Sequence, residues 1–363
     1  MLSNIFSGFG KFGKGGKTLV GLDIGSSSVK AVELRNGGKA GYELVSIGQV
    51  ALLADTIVDG QIIDGNHVSD CIQRIFTEQA IKTENVATSI SGHAVIVKKI
   101  TVPAMSIEEL REQIQWEAEQ HIPFDVNDVN LDYHVIDTGA GDSMEVLLVA
   151  CKKDVVLQLT QVISQAGRAP AVVDVDAFAM QNAYEMSYRP QPDDLVMLLN
   201  IGASVLNVNI VRGVNSLFMR DISLGGNQYT DTLQRELGLT FEQAEVLKRG
   251  GEIEDATVSF DSAQPLLDSV TEMLTSEIQR TLDFFQTQSG PELPEVSRML
   301  VAGGCSKVHG LLPWLAERFQ FPVEVFDPFR GIRISEKKFD EGYIRDFAPD
   351  MAVAVGLAMR NTD

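Results

Sequence analysis

The sequence predicts an α/β protein built from two related halves, and three observations carry that prediction. An apolar strand, Thr18 to Leu22, passes through Asp23-Ile24-Gly25-Ser26-Ser27-Ser28 into a second apolar run that ends at Leu34. The same grammar returns half a chain later. Apolar Val196 to Leu199 leads to Asn200-Ile201-Gly202-Ala203-Ser204 and then to the alternating run Val205 to Val211. A third segment, Met299 to Ala302, runs into Gly303-Gly304 and opens a helix through Cys305, Ser306 and Lys307. Each pattern is common alone; in this order they predict a duplicated domain closing on a nucleotide.

The chemistry of the first turn fits that ligand. Gly25 lets the backbone approach closely, and the turn N–H groups with Ser26, Ser27 and Ser28 can donate to phosphate oxygens. Asp23, at the strand end, is placed to hold a hydrated Mg²⁺, which takes oxygen ligands and keeps several waters. An ordinary Gly-Ser turn would explain the glycine and serines. It would not explain an acid locked between apolar residues.

The remaining elements follow in order. Tyr42 to Ala51 is predicted as a third strand, and Asp59 to Asp64 leads into a helix over His67 to Gln79. Val86 to Ile90 is a strand ended by Ser91-Gly92-His93. The block Ala94 to Gly167 breaks the rhythm: strand Val95 to Val102, helix Ser106 to His121, strands Asn130 to Asp137 and Met144 to Lys152, helix Asp154 to Ala166. Ser106 with Glu109 makes a capping box, and Gly139-Ala140-Gly141-Asp142 joins the two antiparallel strands. The acidic residues Glu108, Glu109, Glu112, Glu117 and Glu119 on that helix suit a solvated face or a docking face. Pro265 to Gln288 is a long amphipathic helix with an apolar core stripe, and Arg280 on its other side is expected to approach the cleft.

Composition narrows the function classes. Lys+Arg 30 against Asp+Glu 50 gives a formal charge of −20, which opposes a broad nucleic-acid or anionic-lipid surface. Cys71, Cys151 and Cys305 are widely spaced and odd in number, as expected of reduced thiols in a cytoplasmic protein. His67, His93, His121, His134 and His309 show no spacing for a metal site or a triad. No apolar run approaches the roughly 18–20 residues that span a bilayer, so membrane association is expected to be peripheral. Residues 1–17 mix Phe6, Phe9 and Phe12 with glycines and Lys11, Lys14 and Lys17. That tail suits either a frayed terminus or a weak membrane or partner contact.

With these motifs in hand, the chain from Thr18 onward resembles the actin-like ATPases, which have a duplicated ribonuclease H-like fold with two lobes around a nucleotide cleft. Within them it resembles the FtsA-like branch, most closely its PilM-type pilus assembly members. Residues 21–34 and 197–213 are similar to that family's two phosphate motifs, and 299–311 to its adenosine motif. Asp174 to Tyr184 and Ala348 to Met359 resemble the connecting helices where the halves hinge. Leu224-Gly225-Gly226-Asn227 with Thr230 resembles the Gly-Gly turn into the second large lobe. Glu245 and Lys248 match the acid and lysine that hold ribose and adenine. The resemblance implies a first lobe over 18–93, and an interaction subdomain inserted at 94–167 where actin has a different one. The first connecting region follows at 168–192, then a second lobe at 193–363 with a helical part at about 228–296.

What the resemblance implies for function is ATP or ADP with Mg²⁺, held by Asp23, Gly25, Ser26, Ser27, Lys30, Asn200, Gly202, Gly225, Gly226, Glu245, Lys248, Gly303, Gly304 and Lys307. It departs from the family at Asn200, where an aspartate usually helps to hold the metal's water shell. One charge fewer near the dication predicts slow or absent hydrolysis. Asp174 and Asp176 are candidates to position water, with helix capping as the alternative role. The implied function is a cytoplasmic ATP-binding scaffold at the inner face of the bacterial inner membrane. Its implied partner is the N-terminal tail of PilN, with pilus motor ATPases as neighbours and self-association open. The tail is expected to dock in the seam between the insert and the first lobe, along Val95 to Val102 and the acidic helix 106–121. An FtsA-like filament former is the alternative; the absence of a C-terminal amphipathic helix speaks against it. A small-molecule kinase would need a base and a substrate pocket that the insert does not supply.

Overall fold

In the computed structural model, residues 18–137, 142–253, 258–289 and 295–360 are described. The N-terminal Phe/Lys/Gly segment and the Gly139-Ala140-Gly141 turn therefore lie outside the described residues. The first lobe is built on β1 (Val20–Ile24), β2 (Ser28–Asn36) and β3 (Tyr42–Ala51). A two-stranded hairpin, β4 (Ile57–Val58) and β5 (Gln61–Ile62), leads to α1 (Gly65–Glu78) and β6 (Asn85–Ile90). That hairpin was not anticipated, although Asp59-Gly60 between isoleucines is a two-residue turn signal. Both turn residues have positive φ, 50° and 78°.

The inserted block follows as β7 (Val95–Pro103), α2 (Ile107–His121), β8 (Val129–Asp137), β9 (Ser143–Lys152) and α3 (Lys153–Gln165). Its three strands form a separate antiparallel sheet in the order β7-β9-β8. The Ser106–Glu109 capping box is present. After it come β10 (Ala169–Val175) and α4 (Asp176–Tyr188), then β11 (Leu195–Ile201), β12 (Leu206–Arg212) and β13 (Asn215–Ile222). The chain continues through α5 (Gly226–Leu237), α6 (Phe241–Lys248), α7 (Phe260–Ser289), β14 (Arg298–Ala302), α8 (Leu311–Phe319), β15 (Val323–Val325), α9 (Glu341–Phe347) and α10 (Ala352–Ala358).

The duplication is explicit in the sheets. The first lobe's order is β10-β6-β1-β2-β3, and the second lobe's is β15-β14-β11-β12-β13. In each, two antiparallel pairs extend to one side of the first strand and two parallel pairs to the other. Helices α4 and α10 fill the space between the sheets. Met180, Ala183 and Tyr184 of α4 share one core with Val32 and Leu34 of the first sheet and Val196, Leu198 and Leu300 of the second. Two glycines permit this close approach. A Cβ at Gly21 would sit 1.9 Å from the Ala354 carbonyl oxygen, and one at Gly356 only 1.7 Å from that of Ala179.

The insert leans on the first lobe through one face of its sheet. Alternate residues of a strand face opposite sides of its sheet. Accordingly, Val146, Leu148 and Ala150 of β9 pack under Leu110, Ile114 and Ala118 of α2. Leu147, Val149 and Cys151 point the other way, into the first lobe's core with α1 and α3. This corrects the expected seam: the sheet stands between the acidic helix and the lobe, so α2 cannot line their junction. Arg280 also departs from expectation. It pairs with Glu277 on the exposed face of its own helix and does not reach the cleft.

Candidate functional site

The two turns that open β2 and β12 have the same construction. Gly25 N–H donates to the Ser28 carbonyl at 3.0 Å, and Gly202 N–H to the Val205 carbonyl at 2.9 Å. Both face a cavity of about 250 Å³ between the lobes. Asp23, Gly25, Ser26, Ser27, Lys30, Asp176, Asn200, Gly202, Gly226, Glu245, Lys248, Gly303 and Gly304 all line it. The cavity extends past the first turn to Ile57 and Ile62 of the hairpin and to Val155, Gln158 and Leu159 of α3.

Three anticipated residues stand elsewhere. Asp174 is buried at the end of β10, where its carboxylate takes Arg360 at 2.6 Å and the Val175 N–H at 2.8 Å. It ties Arg360 to the first sheet and does not line the cavity. Lys307 is held by Asp350 at 2.7 Å and lies outside the cavity wall. Gly225 lies behind the second turn. A Cβ there would meet the Gly202 carbonyl oxygen at 2.5 Å, so it serves packing of the turn and not the cavity surface.

At the first turn, Asp23 pairs with Lys30 at 2.9 Å, its cross-strand neighbour. Burial disfavours the ammonium, but Asp23, with Asp350 and Asp176 farther off, outweighs it and holds the Lys30 pKa above the ordinary lysine value. Asp176 opens α4 and faces the same space. Burial, then the Asp23 charge, push its carboxyl up to about 7, against the opposing pull of the Ser89 and Ser91 hydroxyls. Farther along, Lys248 Nζ donates to Thr230 Oγ1 at 2.9 Å and pairs with Glu245, which also accepts from Thr230 at 2.6 Å. Gly226 needs its lack of a side chain here, since a Cβ would stand 3.0 Å from Cys305 Sγ.

The donor set fits a nucleotide with Mg²⁺. Two glycine turns and Gly303-Gly304 offer backbone approach, and Asp23 and Asp176 offer carboxylates for the metal's water shell. Gln49 Oε1, in the cavity wall, is buried without a hydrogen-bond partner, as a polar atom waiting for a ligand or its waters would be. Among the described residues, no group of three His, Cys, Asp or Glu is placed to grip a metal directly. No helix among them is long and apolar enough to cross a membrane. Asn207, inside the recognised run Val205 to Val211, was not picked out in the sequence, and Asp221 was missed because Asn215–Ile222 was not recognised as a strand. The signal was there, in the two-residue Gly213-Val214 turn between alternating runs.

A sequence profile for the type IV pilus assembly protein PilM matches residues 21–362. This chain belongs to the PilM family. Its fold matches that of a solved PilM–PilN type IV pilus biogenesis complex, with 27% identity and a TM-score of 0.85 over 96% of this chain and 100% of that one. The ethanolamine utilization protein EutJ from Carboxydothermus hydrogenoformans is 12% identical, with a TM-score of 0.55 over 94% of this chain and 89% of EutJ. MreB 5 of Spiroplasma citri, solved with AMPPNP, is 14% identical, with a TM-score of 0.50 over 94% of each chain. At those identities the likeness concerns the fold alone: the PilM-family chain has the actin-like architecture.

Proposed function

We propose that this PilM-family chain is an adenine-nucleotide-binding scaffold of a type IV pilus assembly platform, working at the inner face of the inner membrane. The supporting observation is the pair of matched glycine turns facing each other across one cavity, with Asp23 and Asp176 beside them. In this reading the turns take the phosphates, Asp23 holds Mg²⁺ through water, and Glu245 and Lys248 hold the ribose and base. Asn200 supplies no charge to the metal, which keeps turnover slow. Nucleotide closes the cleft and fixes the arrangement of the lobes.

The membrane-anchored partner is the short N-terminal tail of a PilN-type protein, as the solved PilM–PilN complex suggests. Its place is the junction between the insert and the first lobe, lined by Val95 and Val97 of β7 and Val155 of α3. These side chains pack at the edge of the first lobe's core. Apolar anchors of an extended tail would supply the affinity there. Calorimetry with Mg-ATP and Mg-ADP, followed by capture on synthetic tails of inner-membrane pilus proteins with and without nucleotide, tests both halves. A folded protein that binds neither nucleotide overturns the first half. Tail binding that survives Val97→Asp and Val155→Asp overturns the second.

A further inference from the structure

Across the second lobe's sheet, three residues stand in one row. Asn200 of β11 is the register partner of Asn207 on β12, and Asn207 that of Asp221 on β13. Asn200 Nδ2 donates to Asn207 Oδ1 at 2.9 Å, and Asn207 Nδ2 donates to Asp221 Oδ1 at 2.8 Å. The row then leaves its lobe. Asp221 Oδ2 accepts the backbone N–H of Gly92 at 2.6 Å, in the turn between β6 and β7 where the inserted subdomain begins. Next to it, His93 Nε2 meets Ser223 Oγ at 2.7 Å.

The first lobe has the matching row Asp23–Lys30–Gln49 with different chemistry. There the first two form an ion pair, and Gln49 Nε2 donates to Ser28 Oγ at 3.0 Å within its own lobe. The second row has one satisfying order. A carboxylate only accepts, so Asp221 takes N–H from both sides. Asn207 must then turn its NH₂ to Asp221 and its oxygen to Asn200. Asn200 in turn gives its NH₂ to Asn207, while its Oδ1 stays beside Gly303 in the cavity wall.

We propose that this row is a lobe-coupling relay: a ligand engaging the second glycine turn is sensed, through Asn207 and Asp221, at the Gly92 root of the inserted subdomain. The inference rests on the reading of the cleft as a nucleotide site and adds the route from that site to the partner-binding part. It also accounts for an amide where the first lobe has Asp23. A carboxylate at position 200 would confront Asn207 Oδ1. Turning the Asn207 amide to meet it would aim a second oxygen at Asp221.

Hydrogen exchange over residues 91–97 of the full chain, with and without saturating Mg-ADP, tests the relay. Asp221→Leu removes the acceptor of both N–H groups and breaks the row at its centre. Asp221→Asn keeps it, because all three amides can turn over: the oxygen at 221 takes Gly92 and its NH₂ meets Asn207. The wild type should slow its exchange over 91–97 when Mg-ADP binds. Asp221→Leu should exchange about tenfold faster there without nucleotide and lose the Mg-ADP response. Asp221→Asn should retain both. Should Asp221→Leu fail to fold, Asn200→Asp is expected to speed the ligand-free exchange in its place. The relay is overturned if the broken variants exchange like the wild type, if Asp221→Asn is no better than Asp221→Leu, or if bound Mg-ADP leaves 91–97 of the wild type unchanged. Calorimetry showing no nucleotide binding sinks the nucleotide reading instead, and with it the ligand-sensing half of the relay.

Discussion

Replacing Asp176 with asparagine should make the ligand-free protein more stable above neutral pH. The Asp176 carboxyl is pushed up to about 7 by burial and by the charges of Asp23 and Asp221. An unfolded aspartate titrates near 3.9, and each tenfold in proton affinity corresponds to about 1.36 kcal/mol. Because the folded state holds its proton more tightly, stability is highest below about pH 4 as far as this group is concerned. It falls as pH rises through about 7. Fully developed, the loss is of order 4 kcal/mol. The asparagine forfeits the favourable negative charge at the start of α4, worth about 0.3–1 kcal/mol, so a net gain of about 3–4 kcal/mol is expected at pH 8.5. Urea denaturation of wild type and Asp176→Asn in chelator, from pH 5 to 8.5, measures this directly. The two should converge toward pH 5 and separate as pH rises. Mg²⁺ with nucleotide should raise wild-type stability far more than that of the variant. Parallel profiles across the whole range would refute the reasoning, since they would mean that Asp176 bears no electrostatic strain.

Asp23→Ala should weaken Mg²⁺-dependent nucleotide affinity, and it should not be silent in the fold: it strands Lys30 in a mostly buried site, at a cost of about 3 kcal/mol in urea melts. Adding Lys30→Met should recover most of that loss without restoring the metal dependence. Gly356→Val should leave the protein insoluble or lower its stability by more than about 4 kcal/mol, because the new side chain would enter the Ala179 carbonyl. Expression and melting temperature report it, and a soluble variant with wild-type stability would contradict the packing. Turnover of ATP should lie below about 1 s⁻¹, the low end for dedicated enzymes; a phosphate-release assay well above that would refute the role given to Asn200. Charge reversal at Glu112 and Glu119 together should leave tail binding within about twofold, because α2 lies on the far side of the insert sheet from the junction, where rim charges add little.

The sequence by itself determined the duplicated architecture and most of the cavity wall. Strand–turn–strand units with glycine at the turn are local structures, and short-range hydrogen bonds such as Gly25 to Ser28 and Gly202 to Val205 build them wherever they occur. Thirteen of the anticipated site residues therefore fall on the cavity, since they sit in or beside such turns or on adjoining helices. What failed were residues whose role depends on a distant partner. Asp174 and Lys307 carry charges suited to the cleft, yet Arg360, 186 positions away, and Asp350, 43 away, claim them. The seam between the insert and the first lobe was expected, but α2 was wrongly set along it. Only packing shows that one face of β9 belongs to the first lobe and the other to α2. The Asn200–Asn207–Asp221–Gly92 row was likewise invisible. Gly92 lies 129 positions from Asp221, and a hydrogen-bonded row across three strands exists only once register is set. Local chemistry fixes turns and strands; partner choice for a buried charge or amide is decided by whatever the tertiary fold brings within about 3 Å of it.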